Sequence, residues 1–349
     1  MHMADALVAP AVAVTMYAAS GVTAGTCLHT LRKEENTAEK LPTMAVMSAL
    51  VFAGQMINYT IPGTGSSGHL CGGMMLSALL GPQAGFLSMV VILAIQCLLF
   101  ADGGLLALGA NIWNMGFYGC FVGYYLIYRP ILRSRHGKTP GKLALASILG
   151  CVISLQLGAF SVVLETLLSG ITELPFGAFL ALMQPIHLAI GLVEGLITAA
   201  VLLFVYKTRP SLLREVDATP QADAGSKRKA LAVLAIAALV IGGGLSLLAS
   251  SNPDGLEWSL FGNQDGGYSE NLGLSEDHYG VTSQAGTKAE KIVEKTAWMP
   301  DYAFANDPEN QAGTSVAGIA GAAAVAVVAG LVCLIGSLHR RKKQHSEAN

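Results

Sequence analysis

The chain opens Met1-His2, and a terminus of that form can offer three nitrogens to one metal ion. They are the α-amine, the His2 amide once its proton is displaced, and the His2 imidazole, and the two chelate rings they close share the amide nitrogen. A second imidazole, His69, ends the stretch Gly63-Thr64-Gly65-Ser66-Ser67-Gly68-His69 and would complete a flat four-nitrogen set. Flat nitrogen ligation suits Ni(II) or Cu(II) better than tetrahedral Zn(II). The chemistry needs Met1 retained, and a bulky second residue such as His2 is expected to block its removal. On spacing alone, a solvated terminal His2 and a turn-capping His69 are the more ordinary reading. The membrane setting of both residues reverses that balance.

Of 349 residues, 52% are hydrophobic and 13% charged. A soluble protein carries roughly a quarter charged residues, so the composition reads as a polytopic membrane protein. The net charge of -2 comes with basic residues confined to short connections, which leaves no basic groove for phosphates and excludes a nucleic-acid partner. Cys27, Cys71, Cys97, Cys120, Cys151 and Cys333 are scattered singly, with no C-x-x-C pair, and read as small packing residues. No basic stretch precedes the first apolar run, so a cleavable signal peptide, which would destroy the proposed site, is not expected.

Nine stretches have the length a bilayer requires, near 6-31, 43-61, 68-82, 84-101, 104-128, 141-169, 179-206, 229-249 and 314-338. The expected fold is an all-α integral membrane protein: a seven-helix bundle plus a two-helix module with a long external loop. The third stretch is short and follows His69 directly, so a partial or tilted helix buried among the others is expected there. All of the 21 Lys and Arg except Lys288, Lys291 and Lys295 fall on alternate connections or in the tail, hence on one side. The positive-inside rule makes that side cytoplasmic and exempts the long loop holding the other three. The N-terminus, the His69 loop and the loop 250-313 are then outside, with the C-terminus inside, so both halves of the proposed site face one compartment.

Domain organisation reads as 1-209, a polar cytoplasmic linker 210-228 with Pro210, Pro220, Gln221 and Gly225, and a second module 229-349. Its loop opens with the turn sequence Asn252-Pro253-Asp254-Gly255-Leu256-Glu257-Trp258, and Thr287 to Glu294 reads as a short amphipathic helix. Glu165, His187 and Glu194 are the ionisable residues within spans. For His187 and Glu194, seven apart on one helix face, an interhelical hydrogen bond is the preferred reading over a proton relay or ion site. Ala45, Ala49 and Ala53 repeat four apart on the second span, a spacing that permits close approach of another helix, within the bundle or from a partner.

These residues resemble the CbiM/NikM family, the substrate-specific membrane component of nickel and cobalt energy-coupling factor transporters. Met1-His2 with Asp5 is similar to that family's Met-His-x-x-Asp opening, and Ser67-Gly68-His69-Leu70 with Gly72-Gly73 resembles the block carrying its second metal-binding histidine. Gly109-Ala110-Asn111-Ile112-Trp113-Asn114 and His187 to Gly195 resemble two further blocks. Residues 229-338 are similar to the small N component of such systems, with Pro253-Asp254-Gly255-Leu256-Glu257 as the hallmark. The resemblance implies metal ligation by Met1, His2 and His69 in an extracytoplasmic pocket. Asp5, Asn58, Asn111 and Asn114 are then candidates to hold the imidazoles, since a ligating imidazole donates its other N-H to an oxygen. Met3, Ala4 and Ala6 replace the family's usual Ile, Pro and Gly.

The resemblance further implies import of Ni(II) or Co(II), carried as cargo with no cofactor. The sequence has no G-x-x-x-x-G-K-[ST] loop, so energy would come from a pair of partner ATPases through a membrane coupling subunit docked against Ala45, Ala49 and Ala53. Flat ligation and the Pro-Asp-Gly-Leu-Glu module favour nickel over cobalt. The alternatives are a cobalt importer supplying cobalamin biosynthesis and a membrane metal sensor that transports nothing. An intramembrane metalloenzyme would require an H-E-x-x-H or similar cluster, which the sequence lacks.

Overall fold

The computed structural model describes residues 1-34, 37-134, 139-216, 227-263, 271, 272, 274 and 279-347. Its helices fall where apolar length requires them. They are α1 (Pro10–Lys33), α2 (Thr37–Gln55), α3 (Gly73–Leu80), α4 (Pro82–Phe100), a run made of α5 (Leu108–Asn111), the π-wound segment Ile112–Tyr128 and α6 (Arg129–Leu132), then α7 (Pro140–Leu168) and α8 (Phe176–Thr208). The second module contributes α9 (Lys227–Gly243), α10 (Gly255–Phe261), α11 (Gln284–Thr296) and α12 (Ala312–Glu347). Five of them, α1, α4, α7, α8 and the segment Ala312–Ile335 of α12, are long and apolar enough to cross a bilayer.

Close helix contacts are set by small residues. On α8, Gly191 and Gly195 are one turn apart, and a Cβ there would lie 3.0 Å from Val152 Cα and 2.7 Å from Ile148 Cα, so glycine lets α7 and α8 meet backbone to backbone. The outer faces stay apolar, with Val14, Val22, Leu196 and Ile236 exposed as a lipid-facing surface requires.

The third expected span is a short buried helix, as its length suggested, and the backbone leading into it is irregular. The second expected span, 43-61, ends as a helix at Gln55, and its last residues pair as a hairpin with the connection that follows, β1 (Tyr59–Ile61) with β2 (Ser66–Gly68), antiparallel with Tyr59 opposite Gly68, turning through Gly63 and Gly65 at positive φ. Only then does α3 begin, and all eight of its residues are buried. Irregular backbone at that depth is tolerated because protein surrounds it. Glu194 of α8 satisfies its entry, accepting from the backbone N-H groups of Cys71 and Gly72 at 2.9 Å each. The fifth expected span likewise begins later, at Leu108, after a loop in which Ala101 and Gly103 take positive φ.

The two ends of α4 separate two chemistries. At its start, a Cβ on Gly81 would lie 3.3 Å from Arg214, whose N-H bonds the Ala78 carbonyl, and nearby Arg129 and Arg133 pair with Glu215 at 3.2 and 2.6 Å. Beyond its other end, Asp102 meets His2. Nineteen helical residues span roughly 28 Å, close to the hydrocarbon thickness of a bilayer. Of the expected linker 210-228, residues 217-226 lie outside the described residues, as do Arg135 and Lys138.

Candidate metal centre

The terminus is positioned by its third residue. Asn111 accepts from the Met3 N-H at 2.8 Å and donates to the Met3 carbonyl at 3.1 Å, and Gly104 N-H donates to the same carbonyl at 2.9 Å. With Met3 clamped and wholly buried, Met1 and His2 are held in one place. The Met1 amine lies 3.4 Å from His69 Nε2, across 68 residues of sequence. Two nitrogens bound to one ion at about 2 Å each lie within about 4 Å of each other, and this pair meets that limit. The His2 and His69 rings stack with centroids 5.2 Å apart.

The hydrogen bonds set the electronic state of the donors. His69 Nδ1 faces the Leu70 carbonyl at 2.9 Å. A carbonyl only accepts, so Nδ1 carries the hydrogen and Nε2 presents its lone pair toward the amine. Burial, then the positive charges of the amine and His2, push His69 down to about 3, so it is neutral and ready to ligate. Burial also lowers His2, against the pull of Asp102. The amine goes the other way: burial opposes its charge, but the Asp254 carboxylate 2.5 Å away outweighs that and raises it. Burial would raise Asp254, and the facing amine overrides it to hold the carboxyl well below its usual range.

These groups open on a cavity of about 720 Å³ whose walls include His2, Asp5, Asn58, His69, Asp102, Asp254, Glu257, Glu290, Glu294 and Tyr302. Among the described residues no three His, Cys, Asp or Glu side chains converge as a metal site. Beside the two imidazoles lie the main-chain nitrogens of the terminus, the Met1 amine 3.4 Å from His69 Nε2.

The residues expected to hold the imidazoles are differently employed. Asp5 accepts from the Ala107 N-H at 3.0 Å, Asn111 clamps Met3, and Asn58 lines the cavity while its carbonyl takes the Ser250 N-H. Asn114 donates to Glu165 at 2.7 Å and to the Met3 sulfur at 3.6 Å. The partners of His2 are Asp102, 3.2 Å from Nδ1, and Gln96, 3.3 Å from Nε2, and Gln96 is itself held by Gln55. Sequence reasoning missed Asp102, Gln96 and Asp254. His187 bonds the Met183 carbonyl of its own helix, and Glu194 braces α3, so they form no pair with each other. The small-residue face of α2 lies against α12, where a Cβ on Gly330 would be 3.9 Å from Ala45, and Ala49 and Ala53 are buried.

The fold is similar to a crystal structure of a transition metal transporter, with TM-score 0.52 and 32% identity over 59% of this chain and 93% of that one. Together with the apolar helices this defines the class, a multi-pass helical membrane protein of metal transport. The chain belongs to the CbiM family, the cobalt uptake substrate-specific transmembrane region, matched over residues 2-212, and carries a PDGLE domain over 228-338. Two of its relatives run over nine-tenths or more of its length. One from Archaeoglobus fulgidus, provisionally named a fused nickel transport protein NikMN, is 34% identical over 92% of this chain and 94% of its own. The fused nickel transport protein NikMN of Rhodobacter capsulatus is 28% identical over 98% of this chain and 99% of its own.

Proposed function

We propose that this chain captures Ni(II) outside the cell membrane through the Met1 amine, the His2 amide and imidazole, and the His69 imidazole, and passes it inward as the substrate-specific subunit of an energy-coupling factor importer. The observation that carries this is the convergence of the terminal amine and His69 Nε2 at 3.4 Å, with the two imidazoles stacked beside them. The clustering of Arg129, Arg133 and Arg214 at the opposite end of α4 supports an external N-terminus. In this reading residues 1-209 hold the ion and 229-349 form an accessory module. Energy comes from a pair of ATPases through a membrane coupling subunit. With Ala49 and Ala53 buried and α12 packed along α2, that subunit meets another face of the bundle.

Nickel is preferred because flat nitrogen ligation favours it and because both of those relatives carry nickel in their names. The family description names cobalt, so the discriminating measurement is uptake by cells expressing the complete complex with both ions in competition. A clear cobalt preference overturns the choice. The ligand set is tested by adding one residue before Met1 and measuring the metal content of the purified chain. Loss of tight binding is expected, because the added residue turns the amine into an amide. Retention of one Ni(II) equivalent removes the amine from the ligand set.

A further inference from the structure

We propose that Asp254, contributed by the second module, is a positioning residue of the metal centre in the first: it holds the Met1 nitrogen before and after the ion arrives and supplies the negative charge that balances the complex. This rests on the four-nitrogen reading above.

The carboxylate is fixed at both oxygens. Oδ1 accepts from the N-H groups of Leu256 and Glu257 at 2.8 and 2.9 Å, capping α10, and Glu257 reaches back to the Asp254 N-H at 3.2 Å. Oδ2 is left to the terminus, 2.5 Å from the Met1 nitrogen. The segment is strapped to the strand that leads into His69: Ser67 N-H donates to the Pro253 carbonyl at 2.8 Å, and Ser67 Oγ donates to the Asn252 carbonyl at 2.8 Å. Behind it, a Cβ on Gly255 would sit 2.9 Å from Ile190 Cδ1 and 3.1 Å from His187 Cε1, so glycine allows the turn to press this close. Cap, strap and glycine together aim one charged oxygen at a residue 253 positions away.

The bond to Met1 survives metal binding. An ammonium has three hydrogens and a coordinated amine has two; the proton that leaves is the one whose place the ion takes. The hydrogen facing Asp254 stays, just as a ligating imidazole keeps its second N-H on a carboxylate. Charge also closes. A dication bound to one deprotonated amide and three neutral nitrogens keeps a single positive charge, and a buried charge is costly unless paired. Asp254 pairs it.

Asn caps helices as well as Asp does, so Asp254→Asn keeps the α10 cap and removes the charge. The full chain, purified in lipid nanodiscs, is titrated with Ni(II) against a competing chelator, and the ligand-field absorption is recorded at saturation. The expected result is affinity weakened about 10- to 100-fold with an unchanged spectrum, and substantial recovery in Asp254→Glu. Were Asp254→Asn to misfold, Asp254→Ser, also a good cap without charge, carries the same expectation. Affinity near that of the parent chain overturns the proposal, and so does an altered spectrum, which would make the carboxylate a direct ligand. The chain extended before Met1 is run alongside. If extension abolishes binding while Asp254→Asn leaves it intact, the four-nitrogen reading stands and only the role of Asp254 falls. If the extended chain still binds tightly, the underlying reading falls first.

Discussion

The two walls of the cavity around the N-terminus are chemically opposite. The first module presents nitrogens that are buried and tightly placed, the Met1 amine, His2 and His69. The second presents oxygens: Asp254 at the terminus with Glu257 bonded to its N-H, then Glu290 and Glu294, which are exposed on α11. A nitrogen wall of this kind binds only an ion that has shed its water and displaced protons. Solvated carboxylates ask for neither and act at a distance on a hydrated cation. On the proposed reading, the division puts selectivity and collection in different modules, joined where Asp254 touches Met1.

The largest effect that separates the walls is that of pH. With the proposed ligand set, binding displaces one proton from the amine, whose value lies above the ordinary 8.0, and one from the His2 amide. His69, at about 3, is already neutral at pH 6 to 8 and releases none, and burial lowers His2 in the same direction. Below the amine's value, each unit of acidification is expected to weaken Ni(II) binding by up to about 100-fold, two protons per ion. Above it only the amide proton is displaced, and the slope falls to about tenfold. Titration of affinity against pH checks this. A steeper slope setting in below the ordinary imidazole range would mean that the histidines are not held neutral, and the contrast between the walls would fail.

Much of this was legible in the sequence, for reasons that differ by residue. Five of the nine expected spans recur among the described residues as helices long and apolar enough to cross a bilayer, and apolar length alone marks them; that Met1 with His2 can offer three nitrogens follows from covalent structure, so neither needs tertiary information. His69 was marked by the resemblance of Ser67-Gly68-His69-Leu70 with Gly72-Gly73 to a family block, its spacing alone favouring a turn cap. What holds these groups was not legible. Asp102 reaches His2 only because Ala101 and Gly103 adopt positive φ and turn the chain back after α4. Asn111, expected beside an imidazole, instead clamps the Met3 backbone, a contact fixed by how the run from α5 packs under the terminus. The hairpin was hidden by strands of three residues each, too short to show alternation. The Asp254-to-Glu257 spacing did carry a signal: it is a capping box, and taking it for a turn overlooked the helix it starts.

A medium effect tests whether the nitrogen wall depends on its own carboxylate as well as on the second module's. Asp102 meets His2 with one oxygen and accepts from the Tyr302 hydroxyl at 2.6 Å with the other, so it is held from both modules. Asp102→Asn is expected to weaken Ni(II) binding about 10- to 100-fold by loosening the His2 ring. Tyr302→Phe removes a contact one step further out and is expected to act in the same direction but less. Equal losses in the two variants, read by chelator competition, would show that Asp102 acts through the docking of the second module and not on His2 directly.

The smallest effect belongs to the outer carboxylates, and it should show in rate more than in affinity. Glu290 and Glu294 lie one turn apart on α11, exposed at the cavity rim, and touch none of the three proposed ligand residues by any hydrogen bond or ion pair seen among the described residues. Replacing both with Gln removes charge while keeping size and helix propensity. At about 0.01 M ionic strength, where charges act over roughly 30 Å, the association rate of Ni(II) is expected to fall about tenfold. Near 0.15 M, where the range shrinks to roughly 8 Å, the difference should narrow to about twofold. Equilibrium affinity at the higher salt should stay within about threefold of the parent chain, because an exposed charge is screened there. Stopped-flow absorbance at the two salt concentrations makes the comparison. A salt-independent loss of affinity would place these side chains on the bound ion itself and erase the distinction between a wall that collects and a wall that holds.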